Sequence, residues 1–246
     1  MVIVKAGFFR EFLREADCEA YIVIDVLRFT TTVSLALAAG VERVVFYSDY
    51  NSALEYSRRN CIPLAAEIEG FKPPTADYDN SPVEVYLAAR DYGFSEIVLR
   101  STSGAYVLEE AYRRRLRNVY LSAMVNAGAV AEEIVSRGFK SVCIVMAGFR
   151  RKRFSLDDML GAGALIWELG LRSSVKLESD EAVAALALWK YYDSGSSVLD
   201  AVKTSRAGLM LIRTGREYDI EVSCRVNSVS VVPKLTSHWR YIIESR

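Results

Sequence analysis

At residues 24–32 the chain reads IDVLRFTTT. An apolar run ends on Asp25, and Arg28 and three threonines follow at once. In an open α/β sheet the ligand crevice lies beyond the carboxyl ends of the strands, so a charge placed there reaches the crevice mouth. Arg28 offers a planar fork of donors suited to phosphate or carboxylate oxygens. Thr30, Thr31 and Thr32 add hydroxyls and backbone amides at a helix start, which attracts anions through its unsatisfied N–H groups and positive dipole end. A purely structural reading instead pairs Asp25 with Arg28 and lets one threonine cap the helix. The pattern recurs at Glu67, which also follows an apolar run and is a candidate metal ligand beside Asp25.

Residues 67–84, EIEGFKPPTADYDNSPVE, form a long loop-like stretch broken by Gly70, Pro73, Pro74 and Pro82. Pro82 suits a first helical turn, which makes Ser81 the expected N-cap and Asn80 its approach. STSG at 101–104 contributes Thr102 and Ser103, and NAG at 126–128 contributes Asn126. These are ordinary helix caps or ligand contacts, and Gly104 and Gly128 permit close backbone approach. In AGFRRKRFSLDD (147–158), Ser155 and Asp158 read as a capping box. Asp157 is divided between complementing the helix dipole and holding Mg²⁺, which takes one or two carboxylates and completes its octahedron with water and substrate oxygens. The run Arg150 to Arg153 reads as solvated surface, from which one member, Arg150, would clamp an anionic substrate.

Something must hold these groups at a common rim. YIVIDVL, RVVFYS, PLAAEI, EIVLRS, NVYLSA and SVCIVMAG are continuously apolar and alternate with helical patterns, which implies strands buried on both faces of a parallel or mixed α/β sheet. Asn51 and Asn126 sit where N-caps belong, and Gly40 and Gly138 where a left-handed helix end belongs. A helix-rich segment covers 155–215, and YDIEVSC and SVSVVP are expected as two closing strands. No linker divides the chain, so residues 1–246 are expected to form one α/β domain.

Bulk composition narrows the function. The 246 residues are 51% hydrophobic and 25% charged, with 31 Lys plus Arg against 31 Asp plus Glu. No global positive field exists to gather nucleic acid or an anionic membrane. The N-terminal stretch lacks the apolar core of a secretory signal and no run approaches a membrane span, so a cytoplasmic protein is expected, with its four scattered cysteines as free thiols. The single histidine, His238, leaves histidine nucleophiles and His-rich zinc sites without support. GxxxxGK[ST], GxGxxG and a cysteine with arginine six residues on are all absent. Phosphate chemistry here would rest on carboxylates and a metal.

Taken in order, IDVLRFTTT, EIEGFKP, DNSPVE, STSGA, SAMVNAGAVAE, AGFRRKRFSLDDMLGAGAL, YDIEVSC and SVSVVP resemble the ComB family, the 2-phosphosulfolactate phosphatases of coenzyme M biosynthesis and their bacterial relatives. The resemblance implies a three-layer α/β/α domain, usually dimeric, that uses Mg²⁺ to hydrolyse phosphate monoesters of small 2-hydroxy acids. It gives Asp25 and Arg28 the family's acid and arginine, Glu67 its loop acid, Asn80 and Ser81 its Asn-Ser-Pro turn, and Asn126 and Asp157 their own motifs. On this reading Asp25, Glu67 and Asp157 hold the metal, and Thr30, Thr31, Thr32, Asn80, Ser81, Thr102, Ser103, Asn126 and Arg150 contact substrate. Where the family carries TTNGT this chain has STSGA. Two alternatives stay open: a non-catalytic anion-binding protein of the same fold, and a haloacid-dehalogenase-like aspartyl phosphatase, although Leu27 stands where that superfamily's DxDxT pattern needs its second acid.

Overall fold

In β2 the residues alternate between two hydrophobic cores. Ile22 and Ile24 face one core and Tyr21 and Val23 the other; in β7 Val142, Ile144 and Met146 oppose Cys143 and Val145 in the same way. A strand apolar at every position can be buried only between two helical layers. The computed structural model describes residues 1–193, 197–236 and 241–244 and has that three-layer α/β/α form. The chain runs β1 (Val2–Phe8), α1 (Phe12–Glu15), β2 (Ala20–Ile24), α2 (Phe29–Ala38), β3 (Arg43–Tyr47), α3 (Tyr50–Asn60), β4 (Leu64–Ala66) and α4 (Pro82–Tyr92). Next come β5 (Glu96–Arg100), α5 (Gly104–Arg113), β6 (Val119–Ser122), α6 (Ala127–Ser136), β7 (Ser141–Met146) and α7 (Leu156–Arg172). It ends β8 (Val175–Leu177), α8 (Asp180–Asp193), α9 (Val198–Thr204), α10 (Arg206–Arg213), α11 (Glu217–Ser223), β9 (Pro233–Leu235) and β10 (Tyr241–Glu244).

The sheet is mixed, in the order β4-β5-β3-β10-β9-β6-β2-β7-β1-β8. Two parallel sets, β4-β5-β3 and β6-β2-β7-β1-β8, are joined by antiparallel pairings through β9 and β10. Four strands stand between β5 and β2 in that order, which in a flat sheet would hold them ~24 Å apart at the usual strand spacing. Yet the Gly104 N–H, just past β5, donates to Asp25, just past β2, at 2.6 Å. The loops beyond the strand ends thus bring the two parallel sets together, and the functional residues come from both.

Several expectations are corrected. β1 was not foreseen as a strand, because Lys5 and Gly7 interrupt VIVKAGF, yet it lies between β7 and β8. YDIEVSC is helical, forming α11, because Asp219, Ile220 and Ser223 recur at the one-turn spacing of a buried helix face. SVSVVP is irregular up to Pro233, where β9 begins. Asp49, not Asn51, caps α3, its carboxylate accepting from the Ser52 N–H at 2.8 Å. Cys18 and Cys143 form a disulfide and only Cys61 and Cys224 are free. The two bonded cysteines are 125 residues apart in sequence, and β2–β7 pairing, which sets Tyr21 opposite Cys143, brings them together, so spacing gave no sign of it. Gly40 and Gly138 take the expected left-handed conformation. No described helix is long and apolar enough to cross a membrane. His238 lies outside the described residues.

Candidate active site

Four helix N-termini open onto one cavity. Arg28 precedes α2, Asn80 precedes the N-cap of α4, Ser103 precedes α5 and Ser155 precedes α7, and all four line it. Its wall also holds Asp25, Glu67, Asp157, Asp158, Thr102 and Arg150. Their positive dipole ends face the cavity, although the Gly104 N–H at the start of α5 is taken by Asp25 and the Glu84 N–H in α4 by Ser81.

Asp25 is 6% exposed. One of its oxygens accepts the Gly104 N–H at 2.6 Å, and a Cβ on Gly104 would stand 2.7 Å from that oxygen and 2.4 Å from the Phe29 ring. Only glycine permits the approach. Burial pushes the Asp25 carboxyl up to about 7, and the neighbouring charges of Asp157 and Glu67 add to the rise. Asp157 is also pushed up by burial, although the Ser155 hydroxyl donates to it at 2.7 Å. Asp158 is pushed up further by burial, then by Asp157 and Asp25. Its oxygens accept the Val26 and Gly148 N–H groups, each at 2.9 Å. Asp158 thus ties the β2–α2 loop to the β7–α7 loop, which replaces the capping box expected of it.

Glu67 spans two segments. It accepts the Gly70 N–H at 2.8 Å and the Thr102 N–H at 2.6 Å, and Gly70 at φ +93° holds a backbone conformation that other residues rarely adopt. Arg100 approaches the Glu67 carboxylate at 3.5 Å and also donates to the Glu67 carbonyl, the Ser48 carbonyl and the Thr102 hydroxyl. Arg100 ends an apolar strand as Asp25 does, and the same strand-end signal in EIVLRS could have found it.

Arg28 is not a free anion clamp. Its guanidinium meets Asp79 at 2.8 and 3.1 Å and Asp219 at 2.9 Å, all three buried. Burial alone would lower its pKa, but Asp79 and Asp219 more than offset that and leave it raised. Asp79 further meets Arg216 at 3.1 Å, and Ser81 donates to Asp219 at 2.6 Å while capping α4. Asp79 was legible within DYDNSP. Asp219 was not, because its segment reads as a strand.

The threonines and Asn126 are structural. Thr30, Thr31 and Thr32 donate to the carbonyls of Asp25, Val26 and Arg28 at 2.8–3.0 Å, lacing the β2–α2 turn. Asn126 accepts the Ala123 N–H and donates to the Leu121 and Val231 carbonyls. These four and Ser81 are outside the cavity wall. Asn80 is 2% exposed and lines the cavity, and its Oδ1 has no hydrogen-bond partner among the described residues. Arg150 stands at the mouth, its side chain half exposed and 3.9 Å from Glu69.

Among the described residues no three His, Cys, Asp or Glu side chains form a ready-made metal cage. The wall nevertheless carries five acids, Asp25, Glu67, Glu69, Asp157 and Asp158; Arg100 meets Glu67 and Arg150 meets Glu69, which leaves Asp25, Asp157 and Asp158 without a cation among the described residues. Hard oxygens in repulsive surplus, with an orphaned amide oxygen beside them, fit a cation such as Mg²⁺ that takes few protein ligands.

Fold and cavity together define an α/β protein in which four helix starts and a group of buried carboxylates face one cavity. The chain belongs to the family described as 2-phosphosulpholactate phosphatase, whose profile matches residues 10–238. It is 34% identical over 217 residues to a protein of Thermus thermophilus named probable 2-phosphosulfolactate phosphatase, covering 88% of each chain. Proteins of the same name from Carboxydothermus hydrogenoformans and Thermosynechococcus vestitus are 32% and 35% identical, over 97% and 89% of this chain and 95% and 89% of their own.

Proposed function

We propose that this chain is a Mg²⁺-dependent phosphoric monoester hydrolase acting on small phosphorylated 2-hydroxy acids, converting 2-phosphosulfolactate to sulfolactate and phosphate. The observation that carries the reading is the pairing, in one cavity, of four helix N-termini with three buried acids, Asp25, Asp157 and Asp158, that have no cationic partner among the described residues. The N-termini suit a phosphoryl group, but a phosphate dianion cannot enter beside bare carboxylates. Asp25, Glu67 and Asp157 would hold the cation. When bound, Mg²⁺ neutralises charge on the phosphoryl oxygens, the dominant need in a reaction whose catalysed acceleration reaches ~10²¹.

The chain's own groups orient the rest. The hydroxyls of Thr102 and Ser103 meet the non-bridging oxygens, with the positive ends of α2, α5 and α7 behind them. Arg150, at the mouth, faces the substrate's carboxylate or sulfonate. Asp158 keeps the two acid-bearing loops in register. Water adds to phosphorus, the ester P–O bond breaks, and the leaving oxygen gains the proton that the water loses.

The test is phosphate release from 2-phosphosulfolactate, phospholactate and phosphoglycolate with Mg²⁺ or with EDTA. Metal-dependent release is expected; tight binding without release would make the protein a non-catalytic anion-binding module. We also place it in the cytoplasm as a homodimer, bound to neither nucleic acid nor membrane. Light scattering reads the dimer. The Cys18–Cys143 bond runs against a reducing compartment, and thiol labelling of the protein taken directly from cells tests that placement.

A further inference from the structure

Asn80 sits between two anchored neighbours. On one side Asp79 is gripped by Arg28 and Arg216; on the other the Ser81 hydroxyl donates to Asp219 and accepts the Glu84 N–H. The backbone at residue 80 is thus fixed from β2–α2, α4 and α11 at once. The Asn80 side chain is buried in the cavity wall with Asp25, Glu67 and Asp157, and its Oδ1 finds no donor among the described residues. Leaving a buried acceptor unmatched is costly, so such atoms call for a reason. An amide oxygen is a hard donor that a divalent cation accepts, as an asparagine does for Mg²⁺ in phosphoryl-transfer sites. An unmatched acceptor, by contrast, has nothing to offer a phosphoryl oxygen.

We infer that Asn80 binds the divalent cation through Oδ1 rather than the substrate's anionic group, and that the Arg28–Asp79–Asp219–Ser81 network is the device that positions it. This rests on the metal-dependent reading above and assigns Arg28 a positioning role. The chemistry implied is a neutral fourth oxygen ligand, which adds affinity for the cation without adding negative charge against the incoming phosphate.

The experiment measures Mn²⁺ binding by electron paramagnetic resonance and calorimetry, with and without inorganic phosphate, for the parent protein, Asn80→Ala and Asn80→Asp. Asn80→Ala should bind Mn²⁺ at least tenfold more weakly while melting no lower than the parent in metal-free buffer, because no hydrogen bond of Oδ1 is lost. Asn80→Asp, which keeps an oxygen at that place, should bind Mn²⁺ as tightly as the parent or more tightly. Parent-like Mn²⁺ affinity in Asn80→Ala overturns the inference; should that variant not fold, weaker Mn²⁺ binding by Asn80→Asp overturns it. A parent protein that binds no Mn²⁺ in either condition overturns it together with the metal requirement. Mn²⁺ binding that depends on Asn80, in a protein that releases no phosphate, leaves the inference standing and removes the hydrolase reading alone.

Discussion

Two clusters of charge adjoin the cavity, the first reaching its wall through Arg28 alone, and they are built on opposite terms. In the first, Arg28 is buried against Asp79 and Asp219 within 3.1 Å, with Ser81 and Arg216 completing the set. In the second, Asp25, Asp157 and Asp158 are buried together with no cation among their hydrogen-bond partners, and all three are pushed upward in pKa. A buried charge whose partners are present belongs to the scaffold. A buried charge whose partners are missing spends stability, and that expenditure marks where a ligand acts.

The comparison breaks most visibly at Arg28. Arg28→Met leaves Asp79 and Asp219 without their shared cation and should cost about 3–5 kcal/mol, read as a lower denaturant midpoint. If Arg28 served only as an anion clamp, stability would hold and substrate affinity alone would fall. Asp25→Asn should do the reverse: phosphate release drops by about 10²–10³-fold, the scale on which one preorganised electrostatic group acts, while the metal-free protein becomes more stable.

The sign of that gain follows from linkage. The folded Asp25 carboxyl titrates at about 7, above the ~3.9 of an unfolded aspartate. Its destabilising effect is absent below about pH 4, grows as pH rises, and is complete above about pH 7. The melting-temperature difference between Asp25→Asn and the parent should therefore widen from pH 4 to pH 7. A difference independent of pH would remove the buried-acid account.

Adding Mg²⁺ relieves the same repulsion. At a hundredfold excess over its dissociation constant it should raise stability by about 2.7 kcal/mol, and the shift should shrink sharply in Asp25→Asn. The smallest effect is expected at Arg150, whose half-exposed pair with Glu69 at 3.9 Å is worth about 0–1 kcal/mol. Arg150→Ala should leave melting unchanged and raise KM with kcat preserved. A loss confined to kcat would move Arg150 from substrate binding into the chemical step.

Much of this was legible in residue order. Charges that stop apolar runs, at Asp25 and Glu67, located the cavity, because a charge at the end of a buried strand has only the crevice to enter. The same rule reaches Arg100, which ends β5. The roles of Arg28, Ser81, Asn126 and the three threonines were not legible. A donor-rich residue at a helix start reads alike whether its partner is a substrate or an aspartate 191 positions away, the separation of Arg28 and Asp219.

Residue order by itself determined the α/β layering, the helix starts at Ser81 and Ser155, and the set of acids available for chemistry. These follow from periodicity, capping and burial, which act over a few residues. Tertiary structure alone decided which charges are matched, which cysteines bond, and that the loops after β2, β4, β5 and β7 meet although the strands belong to two parallel sets. Those outcomes depend on packing summed over the whole chain, which is not written in any one segment.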